Sequence, residues 1–292
     1  MSYFIQQLLN ALQLGSIYAL IALGYTMVYG VLGLINFAHG DIFMAGAFFG
    51  FFIALLLKLS LIPTLLLSMF LAAVLGIVIE RVAYRPLRKA PRMSLIITAL
   101  GVSLFLENFT RATLGGQQRS FPKLLSVSEY TLAGATVTNL QILIILVSFA
   151  LMLVLRYIVQ KTMIGKAMRA VSDNKEVLPL MGISLDTIVM ATFGLGSALA
   201  ATAGILVGLA YPVIDPYMGI ATGWKAFIAA VLGGIGLIDG ALVGGLILGF
   251  VEIFAAALLP STFRDGIAFA ILIIVLLLKP TGLLGRPVVK KV

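Results

Sequence analysis

Polar and ionisable side chains inside apolar stretches are the first candidates for chemistry. Each is costly to bury in lipid and persists where it pairs, lines water or meets a ligand. Four places stand out. GLINFAHGD, residues 33–41, holds Asn36, the lone histidine His39 and Asp41 beside Gly33 and Gly40. It suits a helix broken at membrane depth, tolerated only inside protein or beside water, and hence a pore or gate element. It suits equally an ordinary turn with Asp41 as the N-cap of the next helix. Glu107 and Arg111 stand four apart, the favourable order for an ion pair on one helix face, and an interfacial structural pair is the stronger reading there. Glu252, in LGFVEIFAAALLP, has no charged neighbour in sequence and is expected to face the protein interior or an aqueous path. GWKAF puts Trp224 and Lys225 together, read as an anchor at the outer interface.

These residues form no catalytic set. One histidine cannot build a histidine-based metal site, there is no cysteine, and neither HExxH nor GxSxG occurs. The glycines never form GxxxxGK[ST], so no nucleotide-binding loop is expected. The chain is therefore expected to be no enzyme and to carry no metal or other cofactor of its own.

The elements that must position these groups follow from composition. Of 292 residues, 61% are hydrophobic and only 11% charged, against about 25% charged in soluble domains. With a mean hydropathy of +1.15, the chain reads as an all-α polytopic membrane protein. A barrel is disfavoured, because barrel strands alternate apolar and polar. Apolar segments at about 4–29, 41–58, 61–79, 93–113, 138–157, 187–210, 222–238, 240–259 and 264–279 give nine candidate spans. The 222–238 piece is short and glycine-rich, so eight is also defensible. The N-terminus has no basic n-region and reads as the start of a retained helix. All of residues 1–292 form one transmembrane domain.

Fourteen of the 20 basic residues lie in three clusters, at 80–92, at 156–186 and in the tail from Lys279. Even numbers of candidate spans separate them, so all three belong on one side, the cytoplasm by the positive-inside rule, together with the C-terminus. The net charge of +9 reflects that topology and calls for no nucleic acid. Residues 114–137 then lie outside and suit a small hairpin. Glycines crowd residues 231–249, with Gly240–Gly244 and Gly245–Gly249 at GxxxG spacing. Close helix packing is the structural reading; a deformable gating hairpin, including Gly233 and Gly234, is the functional one.

The one long polar island is KTMIGKAMRAVSDNKEVLPLMGISLD, residues 161–186, where Ile164, Ala167, Met168, Val171, Leu178 and Met181 recur at helical spacing. Asp173 and Glu176 resemble a capping box, and Gly182 suits a left-handed helix end. Two short helices bending near Ser172–Asn174 are expected. The amphipathic stretch either contacts a partner or lies on anionic lipid.

Four segments in order, LGSIYALIALGYTMVYGVLGLINFAHGDIFMAGAF at 14–48, GKAMRAVSDNKEVLPLMGI at 165–183, VLGGIGLIDGALVGG at 231–245 and RDGIAFAILIIVLLLKPTGLLG at 264–285, resemble the LivH-type permeases of branched-chain amino acid ABC importers. The resemblance implies a permease subunit in a bacterial inner membrane. It also implies a second, LivM-like permease, two cytoplasmic ATPase subunits that bind ATP and magnesium, and a periplasmic substrate-binding protein. Relatives that import other amino acids, amides or urea look similar, and a stand-alone carrier or channel is the other alternative. In that family the polar island, about 158–186, is the cytoplasmic coupling loop. The importer pattern Glu-Ala-Ala, three residues, then Gly is met here by Glu176, Val177, Leu178 and Gly182, with Val and Leu replacing the alanines and no downstream Ile-x-Leu-Pro. Arg169, Asp173, Glu176, Val177, Leu178 and Gly182 are the expected ATPase-coupling residues. Asn36, His39, Asp41, Glu107, Gly233, Gly234 and Glu252 are the candidates for the translocation path and its gate.

Overall fold

A computed structural model describes residues 2–132, 134–173, 182–260 and 262–285. It is an all-α polytopic membrane protein, with ten α-helices among the described residues: α1 (Ser2–Leu32), α2 (His39–Leu57), α3 (Leu61–Ile79), α4 (Arg92–Leu114), α5 (Asn139–Lys161), α6 (Met163–Asp173), α7 (Leu185–Ala210), α8 (Met218–Gly233), α9 (Ile238–Leu258) and α10 (Phe263–Leu278). All but α6 correspond to the nine apolar segments. Seven of them are long and apolar enough to cross a membrane. The other two, α8 and α10, have 16 residues each, or about 24 Å of helix, short of the roughly 30 Å hydrocarbon core.

Local chemistry explains the boundaries. α1 stops where Gly33 takes φ +71° and its amide bonds the Tyr29 carbonyl at 2.7 Å, a glycine-dependent helix end. α3 widens into a π-helical turn at Glu80–Tyr84 and closes with a 3-10 turn at Arg85–Leu87 containing Pro86. Thr138 caps α5, its hydroxyl accepting from the Gln141 amide at 3.0 Å. Before α5, the expected hairpin is present: β2 (Glu129–Leu132) pairs antiparallel with β3 (Ala135–Thr138), and β1 (Arg119–Ser120) with β4 (Val213–Ile214).

α1 is the axis of the bundle. Its apolar window is 89% buried and that of α7 is 72%, against 17% for α4 and 22% for α5, so α4 and α5 are peripheral. The two GxxxG pairs of α9 serve different neighbours. A methyl on Gly240 or Gly244 would strike the backbone of Gly233, Gly234 or Ala229 on α8. On Gly245 or Gly249 it would strike the backbone of Ala19, Gly15 or Ala11 on α1. One helix thus seats two partners through two offset small-residue stripes.

The Thr136 amide bonds Gln6 Oε1 at 2.9 Å, which puts the start of α1 at the hairpin end. Arg85 and Arg88 pair with Asp186, and Arg156 pairs with Asp239. Arg92, Ser172, Pro280 and Thr281 line one cleft of about 640 Å³. The described parts of the three basic clusters therefore share one end. Seven spans and the two shorter helices α8 and α10 account for the nine apolar segments.

Candidate translocation cleft and coupling surface

The break between α1 and α2 is organised by Asn36. Its Oδ1 accepts from the Ala38 amide at 3.2 Å and from the Tyr84 hydroxyl at 2.6 Å. Tyr84 comes from the π-helical turn of α3 and is fully buried. α2 does not begin beside the end of α1. It begins alongside Gly24, where a Cβ would collide with the His39 ring, so the chain doubles back into the bundle before the second helix starts. Asn36, His39 and Asp41 are all buried.

His39 is a packing residue. Its ring meets Tyr25 edge-on at 4.8 Å, and no group of three or more metal-binding side chains occurs among the described residues. The N-cap of α2 is Ala38, which corrects the expectation for Asp41: its carboxyl lies inside the first turn. Oδ1 of Asp41 has no hydrogen-bond partner. The Tyr25 hydroxyl accepts from the Gly40 amide.

A second helix starts at the same depth. A Cβ on Gly40 would lie 3.0 Å from the Gly223 Cα, and one on Gly219 would lie 3.2 Å from the Asp41 Cα. The first turn of α2 and the opening of α8 thus cross backbone to backbone. The structural counterpart of the 33–41 break is the entry into α8. Its signal in the sequence is PVIDP before Met218, where Asp215 Oδ1 accepts from the Tyr217 amide at 2.8 Å. Between α2, α4 and α8 lies a small cavity of about 70 Å³ lined by Tyr25, Phe37, Asp41, Ser103, Gly223 and Trp224, among others.

Glu252 is fully buried. It takes Lys225 Nζ and Arg264 Nε, both at 2.5 Å, and Lys225 also reaches Asp265 at 2.8 Å. Lys225 therefore belongs to a neutral four-charge cluster joining α8, α9 and α10. Trp224 packs on Phe37 and Phe227 instead. Arg264 was not singled out from sequence, although it is a charge in an apolar helix. Glu107 and Arg111 form no ion pair among the described residues. Arg111 turns to the Tyr217 hydroxyl at 3.3 Å, tying α4 to the entry of α8.

Gly233 packs on Gly240. Gly234, at φ +113°, turns the chain toward α9 and lies against Thr281 and Gly285. The Leu283 and Leu284 amides cap the carbonyls of Leu232 and Gly233 at 2.8 and 3.0 Å. These two glycines form a packed, capped turn at the basic end, away from the Asn36–Asp41 break.

α6 is the first half of the polar island. Its Ala167, Met168 and Val171 are buried, whereas Met163 and Ile164 are 75% and 48% exposed. Most of the described part of the apolar stripe thus seats the helix on its own bundle. Arg169 donates to the Val159 carbonyl, bracing α6 against the end of α5. α6 is described as far as Asp173, and Gly182 has φ +70°; residues 174–181 lie outside the described residues. The side chain of Asp173 and all of Glu176, Val177 and Leu178 lie outside the described residues. Beyond Gly182, Asp186 is clamped by Arg85 and Arg88, and Arg88 also holds the buried Glu80. A continuous contact path thus runs from the exit of the island through the turn at Glu80–Tyr84 to Asn36.

The sequence matches the family model described as branched-chain amino acid transport system / permease component over residues 7–276. It is 45% identical, over 302 aligned residues covering 99% of this chain and 98% of the relative, to the high-affinity branched-chain amino acid transport system permease protein LivH of Salmonella typhimurium. The corresponding protein BraD of Pseudomonas aeruginosa is 44% identical with the same coverage. A probable LivH of Methanocaldococcus jannaschii is 28% identical over 94% of this chain.

Proposed function

Starting from a chain that belongs to the branched-chain amino acid transport system permease family, we propose that it moves leucine, isoleucine and valine across a bacterial inner membrane. It acts as the permease subunit of an ATP-binding-cassette importer. The observation that carries this reading is the 45% identity running through 99% of the chain to a high-affinity permease of that class. Hydrolysis belongs to two separate cytoplasmic ATPase subunits, which hold ATP and magnesium. A LivM-like permease completes the membrane part, and a periplasmic binding protein delivers substrate. The basic end, with α6, the 174–182 stretch and the C-terminus, faces the cytoplasm.

The mechanism follows from the contacts. ATPase closure pushes the island; Asp186 at its exit pulls on Arg85 and Arg88; the turn at Glu80–Tyr84 shifts; and the Tyr84–Asn36 hydrogen bond passes the shift to the start of α2. The wide turn suits this role, since π-helical turns mark functional sites in helices. Gly40 facing Gly219 and Gly223 leaves α2 and α8 free to slide without side chains interlocking.

The test is reconstitution. Proteoliposomes carrying the full assembly accumulate leucine only with ATP inside, and this chain alone passes no leucine above protein-free vesicles. Robust flux through the chain alone would instead establish a stand-alone carrier. Tyr84→Phe removes one neutral hydrogen bond, of about 0.5–1.5 kcal/mol, and should lower leucine moved per ATP about two- to tenfold while ATPase activity persists. Unchanged coupling would remove Tyr84 from the path.

A further inference from the structure

Asp41 is 2% exposed, and no ion pair among the described residues reaches it. Its Oδ1 is unpartnered although the residue lines a cavity. A buried carboxylate oxygen left without a donor is costly and calls for a partner. The cavity around it has a consistent chemistry. Ser103 of α4 stands against the carboxylate. Tyr25, Phe37 and Phe227 form an aromatic floor, and Leu100, Ile220 and Trp224 form an apolar rim that is 43–44% exposed. Gly219 and Gly223 of α8 clear the side opposite Asp41.

We infer that this cavity is a substrate subsite in the permease itself, in which Asp41 takes the α-ammonium of an aliphatic amino acid. The inference rests on the transport reading above and adds the group that recognises the substrate. Three observations converge. The missing partner of Asp41 is a hydrogen-bond donor, and beside an anion a cationic donor gains most. The cavity, about 70 Å³, runs from Asp41 to the half-exposed Leu100, Ile220 and Trp224, so an ammonium seated at Asp41 leaves the aliphatic side chain against that apolar rim. Asp41 also sits in the first turn of α2, one residue from the Gly40–Tyr25 contact, so filling the subsite bears directly on the start of the broken helix.

The chain has no cysteine, so Ser103→Cys places its single thiol beside the carboxylate. In the full assembly, millimolar leucine should slow modification of that thiol by a small methanethiosulfonate at least about threefold. 4-Methylpentanoate, which lacks the ammonium, should not. Protection by 4-methylpentanoate equal to that by leucine, protection by sodium without leucine, or no protection would each overturn the subsite. In proteoliposomes, Asp41→Asn should cut ATP-driven leucine uptake about tenfold or more, the scale of a lost charged hydrogen bond. Asp41→Glu should restore part of it, with the assembly and its ATPase activity retained. Wild-type uptake at the Asn variant's rate would overturn the assignment. The thiol assay reads occupancy without transport, so failure of the wild-type assembly to import leucine, together with protection in the Ser103→Cys assembly, would sink the transport reading and leave the subsite standing.

Discussion

Glu252 shows how a buried charge is made tolerable. Its carboxylate is fully enclosed and shared by Lys225 and Arg264, while Asp265 balances the second cation. Removing one member of such a set is costly chiefly because it strands the others. Glu252→Gln strips Arg264 of its partner and leaves Lys225 with Asp265 alone, and should cost about 3–5 kcal/mol, the range for breaking a buried pair. Lys225→Met leaves Glu252 with Arg264 and should cost less. Thermal unfolding of the solubilised protein should rank wild type above Lys225→Met above Glu252→Gln, and the reverse order for the two variants would contradict the cluster. That Glu252 needs company was legible from sequence, because a lone carboxylate in an apolar helix has few alternatives. Which residues supply it was not, since Lys225 lies 27 positions away and on another helix.

At the scale of elements, glycine placement decides which helices touch. A methyl on Gly249 would drive into the backbone of Gly15, whereas nothing lies within 4 Å of a methyl on Gly101. Gly249→Ala should destabilise by about 1–3 kcal/mol, as overpacking does. Gly101→Ala, in an exposed stretch of α4, should be neutral or stabilising by about 0.5–1 kcal/mol. Melting temperatures of the two variants check this directly, and equal effects would mean that α1 and α9 are not in backbone contact. The GxxxG spacing marked α9 as a packing helix; it did not reveal that one pair faces α8 and the other α1. The entry of α8 was missed because a helix that begins inside the bundle has no polar boundary, only the Pro-Asp signal of its preceding turn. Likewise the apolar stripe of α6 announced an amphipathic helix but not which surface it covers, because periodicity alone does not distinguish a bundle from a partner.

For the whole molecule, orientation is the testable matter. The described parts of the three basic clusters gather at one end and the strands at the other, and the proposed orientation puts the basic end in the cytoplasm by the positive-inside rule. Because the chain lacks cysteine, Gln117→Cys and Lys89→Cys each create a single exposed thiol at opposite ends. In intact cells a membrane-impermeant maleimide should label Gln117→Cys and leave Lys89→Cys unlabelled until the membrane is permeabilised. The opposite pattern would invert the protein and place α6 beyond the reach of any cytoplasmic ATPase.

Class, span positions and the common side of the basic clusters were determined by the sequence alone. They depend on hydropathy and charge summed over stretches of about 20 residues, and such sums survive without knowledge of contacts. The polar island was likewise visible as the only long amphipathic interruption. Only the tertiary structure decided that α2 and α8 begin face to face within the bundle, that Tyr84 grips Asn36, that Glu252 serves two cations, and that Asp41 is left with an oxygen unpartnered. Each depends on a pair of residues far apart in the chain brought within a few ångströms, and no local pattern records such a distance.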